Sequence, residues 1–106
     1  MAALLIEVTF KHQAYLPSRL MSDAVSAVLP RYGDRVAYRP VDLGSPAGRD
    51  RFLRLSVDLF GETAVFRGLK LAPIPGLFMN GRLAFDIIPP QDDLEAAIED
   101  RLNTGI

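Results

Sequence analysis

The sequence predicts an α/β fold, with a four-stranded mixed sheet in strand order 2-1-3-4 and helices on both faces. Two observations carry that expectation. The chain opens with an apolar run, a helical-period segment and a second apolar run. This is a strand-helix-strand unit, whose two strands should be parallel with a right-handed crossover. Near the other end, "GLFMNGRLAFDI" is two apolar runs divided by Asn80-Gly81, a strong hairpin signal because a tight type I′ turn needs positive φ at both central residues. The chain has 106 residues, enough for one domain and too few for two.

Each element has its own reason. Residues 4 to 10, "LLIEVTF", are branched and aromatic except for Glu7 and Thr9, which suits a buried strand. From Pro17 the period changes: Leu20, Met21, Ala24, Val25 and Val28 recur at helical spacing, with Arg19, Ser22, Asp23 and Ser26 on the opposite face. Pro17 fits a first helical turn, where a missing N–H costs nothing. Pro30 and Gly33 should end that helix. A second strand is expected over 36–43, at a sheet edge because Pro40 cannot donate to a ladder. Ser45 should cap a helix over 46–60 that turns Phe52, Leu55 and Leu59 inward, with Gly61 closing it. The stretch 62–72 reads as part strand, part turn. After the hairpin, Pro89-Pro90 breaks the sheet. A final helix over 90–102 should bury Leu94, Ala97, Ile98 and Leu102, with Asp92 and Asp93 in its first turn, where they suit the dipole.

Composition excludes several classes. Twelve basic against thirteen acidic residues give a formal net charge of -1, without the basic stripe of a nucleic-acid binder. Arg49, Arg51 and Arg54, interleaved with Asp50, read as a solvated helix face. No cysteine is present, so disulfides, thiolate chemistry and sulfur-ligated metals are excluded. The apolar start lacks a basic n-region and a cleavage site, so it reads as a strand and not as a signal peptide. No run approaches the roughly 20 apolar residues of a membrane span. A soluble cytoplasmic domain, with no nucleic-acid or membrane partner, is the expectation.

The order β-α-β-α-β-β-α resembles the minimal fold of the thioredoxin-like superfamily, and "PIPGLFMNGRLAF", residues 73–85, and "IPPQDDLEAAI" match its proline-strand-hairpin-helix end. The family carries Cys-x-x-Cys between the first strand and first helix, and a cis-proline before the third strand, facing that site. The resemblance implies that Pro75 is that cis-proline, with Ile74 before it. It also aligns Tyr15-Leu16-Pro17-Ser18 with the redox motif, Tyr15 and Ser18 standing where the cysteines would be. Disulfide exchange needs an attacking thiolate, so no catalytic residue survives at this site.

Other chemistries find little support. Ser18 with His12 as base would need a third orienting group, and the plainer reading is a helix-start polar group beside an exposed loop histidine. One histidine makes no metal site. Asp42, Asp86, Asp92 and Asp93 are spread over strand ends and a helix start, with no reason to share a cleft. The expectation is a redox-inactive domain without cofactor or metal. It would bind a protein or peptide partner at a groove formed by Tyr15, Leu16, Pro17, Ser18, Ile74 and Pro75. Two alternatives stand beside it. One is a cysteine-independent enzyme holding a small anionic, glutathione-like ligand at the first helix N-terminus. The other is a structural homodimer through an exposed apolar surface.

Overall fold

The computed structural model describes residues 2–104. Its strands β1 (Leu4–Phe10), β2 (Val36–Asp42), β3 (Leu77–Met79) and β4 (Arg82–Phe85) form one sheet in the order β2-β1-β3-β4, as expected. β1 pairs parallel with β2 and antiparallel with β3, and β3 pairs antiparallel with β4. Helices α1 (Leu16–Val28) and α4 (Gln91–Asn103) lie on one face, and α2 (Pro46–Phe60) with the short α3 (Glu62–Phe66) on the other.

Alternation along β1 divides the core. Leu4, Ile6, Val8 and Phe10 pack against Met21, Val25 and Val28 of α1 and Leu94 and Ile98 of α4. On the other face Phe78 of β3 packs with Val41, Phe52, Leu55 and Ala72. Glu7 and Thr9 point to this second face and are fully buried.

Local signals placed most elements. The Ser45 hydroxyl accepts the Gly48 N–H at 3.0 Å, capping α2. Asn80 and Gly81 have φ of 50° and 81°, the two positive values of the expected turn. The Asn80 Oδ1 also accepts the Leu5 N–H at 2.8 Å, extending the ladder beyond the strand. The Ile74-Pro75 peptide bond is cis.

β2 occupies the edge, and its register explains Pro40. The Arg35 carbonyl accepts the Ala3 N–H, and the Leu43 N–H donates to the Phe10 carbonyl. In a parallel ladder a residue's N–H and C=O point the same way, and alternate residues face opposite sides. Residues 35, 37, 39, 41 and 43 therefore face β1, and 36, 38, 40 and 42 face outward. Pro40 removes an N–H from the free edge, where no ladder bond is lost and pairing with a stray strand is discouraged.

Four expectations need correction. Leu20 is 47% exposed; the inward face of α1 is rotated towards Ser18, Met21, Val25 and Val28, because the Ser18 hydroxyl is tied down to β1. Leu59 is also largely outside the core, beside the hairpin, and Ser56 takes the inward position at the end of α2. Its hydroxyl donates to the Phe52 carbonyl and accepts the Ala72 N–H, closing the return of the chain. The stretch 62–72 contains no strand: Gly61 turns the chain with φ of 87°, and α3 follows, anchored by buried Val65. Arg51 does not belong to a solvated face; it reaches Glu7.

Candidate functional site

The register brings four chain segments to one end of the sheet. Phe10 ends β1 opposite Asp42 of β2, Val8 pairs with Leu77 at the start of β3, and Leu77 pairs with Phe85 at the end of β4. The loop into α1, the 73–76 turn and the residues after β4 therefore share that end. It displays apolar side chains to solvent: Leu16 is 62% exposed and Ile87 71%, with Ile88 also exposed. Tyr15, Pro17, Ile74 and Pro75 are half-buried between them in accessibility.

Tyr15 is the N-cap residue of α1. Its carbonyl accepts the Arg19 N–H, while its side chain caps nothing. Its ring meets His12 edge-on at 5.9 Å, and the Lys11 ammonium lies 5.3 Å from its centre, within cation–π range. Ser18 is not displayed at all. It is buried, and its hydroxyl donates to the Thr9 carbonyl at 2.7 Å. A hydroxyl so committed, with the histidine in the exposed loop, makes no serine–histidine nucleophile. Pro17 removes one donor from the first turn of α1, so the helix start is a poorer anion cradle than an ordinary one.

Thr9 joins the two halves of this end. Its hydroxyl donates to the Pro73 carbonyl at 2.7 Å and accepts the Gly76 N–H at 2.8 Å, and its own N–H donates to the Gly76 carbonyl at 3.0 Å. Its carbonyl holds Ser18. One threonine thus fixes both the helix start and the proline turn. Between the anchored residues 73 and 76, the backbone N–H and C=O of Ile74 have no hydrogen-bond partner among the described residues. Because Ile74 is only half-buried, water can satisfy them in the free protein.

A cleft of about 700 Å³ opens at the same end but on the β2 side, between α1, the free edge and the start of α2. Gln13 and Arg19 border it, but none of Tyr15, Leu16, Pro17, Ser18, Ile74 and Pro75 does. Sequence reasoning did not find this cleft, nor the buried charge behind it. The Glu7 carboxylate accepts two bonds from Arg51, Nε to Oε2 at 2.8 Å and Nη2 to Oε1 at 2.7 Å, and one from Arg39 Nη2 at 2.8 Å. Burial pushes the Glu7 carboxyl up, but the hydrogen bonds and charges of Arg51 and Arg39 outweigh it and hold it below the usual range. On the α1 side, burial raises the Tyr38 phenol, whose hydroxyl pairs with that of Ser22 at 2.8 Å.

Gly48 sets how closely α2 meets β2. A Cβ there would lie 1.8 Å from the Asp42 carbonyl oxygen. Glycine inside a helix costs about 1 kcal/mol relative to alanine, which this approach requires. Gly48→Ala is therefore expected to destabilise the fold by about 1 to 3 kcal/mol, read as a lower urea midpoint.

Among the described residues no group of three or more His, Asp or Glu is placed to hold a metal ion, and no helix is long and apolar enough to cross a membrane. No family model, curated protein or solved structure matches the chain.

Proposed function

We propose that this chain is a thioredoxin-like binding domain without redox chemistry. It takes an extended peptide segment of a partner protein at the end of the sheet around Tyr15, Leu16, Ile74 and Pro75. The observation that carries the reading is the backbone of Ile74, without a hydrogen-bond partner among the described residues and held in place by hydrogen bonds on either side of it. An N–H and a C=O offered from a fixed turn suit strand-type pairing with an incoming peptide backbone. Exposed Leu16, Ile87 and Ile88 would receive its apolar side chains, and Tyr15 supplies a residue type favoured at interface hot spots. The chain has no cysteine, so nothing in this binding leads to exchange. The cytoplasm, where such a partner would be met, belongs to the same proposal.

The test is selection of binders from a library of random extended peptides, followed by NMR titration of the labelled protein. The selected peptide should shift residues 14–18 and 73–76 together, and Tyr15→Ala should weaken binding by about tenfold, the 1.4 kcal/mol typical of an interface anchor. Shifts confined to α4 would overturn the proposal, as would a Tyr15→Ala variant that binds unchanged.

A further inference from the structure

The 700 Å³ cleft lies within the range of small-molecule sites, and its polar groups are ordered from behind. Glu7 is fully buried and grips both Arg39 and Arg51. A guanidinium has five N–H donors in a planar fork. Arg39 gives one to Glu7 and shows no other partner among the described residues, while its side chain is 56% exposed and borders the cleft. Arg51 gives Glu7 its Nε and one Nη, and its side chain, 30% exposed, also lines the cleft. Two guanidinium groups held in place by a buried carboxylate, with donors left over, form a preset receptor for an oxyanion.

The surroundings define the rest of the ligand. Phe10, Tyr38 and Pro40 give the cleft apolar walls. The first turn of α2 borders it at Ala47 and carries no acidic residue, so its dipole adds to the positive side. Asp23 and Asp42 also border the cleft. The Asp42 carboxylate is engaged at the end of β2, where it accepts the Gly44 N–H at 2.8 Å. Two carboxylates on the walls leave room for one acidic head group and oppose a second.

We infer that this cleft, which wraps the free edge of β2, binds a small organic oxyanion, one carboxylate or phosphate group on an apolar body, with the head group on Arg39 and Arg51 on the α2 side and the body laid across the edge against Pro40 and Tyr38 on the α1 side. The site shares none of the residues proposed to bind peptide and stands or falls independently of that proposal.

The probes are phenyl phosphate and 3-phenylpropionate, with inorganic phosphate as head group alone and phenethylamine as the same body with opposite charge. At least one of the two aromatic anions should give saturable NMR shifts at residues 38–42 and 45–51. It should bind at least about tenfold more tightly than inorganic phosphate, a factor equal to 1.4 kcal/mol. Which anion binds more tightly identifies the head group. Arg39→Met should weaken binding about tenfold, since it removes the more exposed fork and leaves the two-bond Arg51–Glu7 pair intact. Arg39→Lys, which keeps the charge and loses the fork, serves if the first variant does not fold. The inference fails if neither anion saturates, if shifts fall only at 73–76, if phenethylamine binds better than the anions, or if the Arg39 variant binds as well as the parent.

Discussion

Arg51→Met should cost about 3 kcal/mol of folding stability, because removing one partner of a buried ion pair leaves the other charge poorly compensated. Glu7 lies in the central strand with no exposure, and Arg51 supplies two of its three hydrogen bonds. The pH dependence separates this cause from simple loss of packing. In the parent protein the Glu7 carboxyl is held below its ordinary value. Its contribution is therefore fully present above the unfolded pKa, about 4.3, and is lost as pH falls through the folded value. Without Arg51 the burial that pushes this carboxyl up is opposed by Arg39 alone. The gain in stability between about pH 3 and pH 5 should shrink. In the double variant Arg39→Met/Arg51→Met burial acts unopposed, the folded pKa rises above the unfolded one, and the Glu7 contribution changes sign. Stability from this group should then be greatest at acid pH and fall as pH rises through about 4.3 towards the raised value. Urea unfolding from pH 3 to pH 7 reads both effects; parallel curves for parent and variants would show that Glu7 is not the linked group.

Thr9→Val should cost about 2 to 4 kcal/mol, although the two side chains have nearly the same shape. The hydroxyl of Thr9 is the partner of both the Pro73 carbonyl and the Gly76 N–H. Each buried polar group left without a partner costs about 1 to 3 kcal/mol. Thr9→Ser keeps the hydroxyl and should lie within about 1 kcal/mol of the parent, the loss of one methyl group. The contrast between the two variants in denaturant midpoint isolates the hydrogen bonds from the packing. Amide exchange should also quicken at Gly76 in Thr9→Val, since its N–H loses its acceptor.

What was legible in the sequence was what neighbouring residues decide. Ser45 and Pro46 announce the start of α2, Asn80-Gly81 the hairpin, and Pro40 the edge strand, each through a backbone constraint acting within a few residues. The 73–76 turn with its cis bond was reached through a family pattern. What escaped depends on pairings far apart in the chain. Arg51 looked like one of three surface arginines until the fold brought it across 44 residues to Glu7. Thr9 bonds to residues 64 and 67 positions away. A signal for both was present: Glu7 and Thr9 share one face of a strand expected to be buried on both sides. A polar group in such a strand must find a partner. Leu20 and Leu59 failed for the related reason that periodicity gives a helix an apolar face but not its rotation, which Ser18 and Ser56 fix through their hydrogen bonds.

The peptide-binding account turns on the backbone of Ile74, and the most direct measurement is the exchange rate of its amide hydrogen with and without a selected peptide. In the free protein this N–H has no acceptor among the described residues and lies in a half-buried residue, so it should exchange quickly next to a protected Gly76. With peptide bound by strand-type pairing, the Ile74 amide should slow by at least about fivefold, as a new hydrogen bond worth roughly 1 kcal/mol or more closes over it. An Ile74 amide that exchanges at the same rate in the saturated complex as in the free protein would contradict the account.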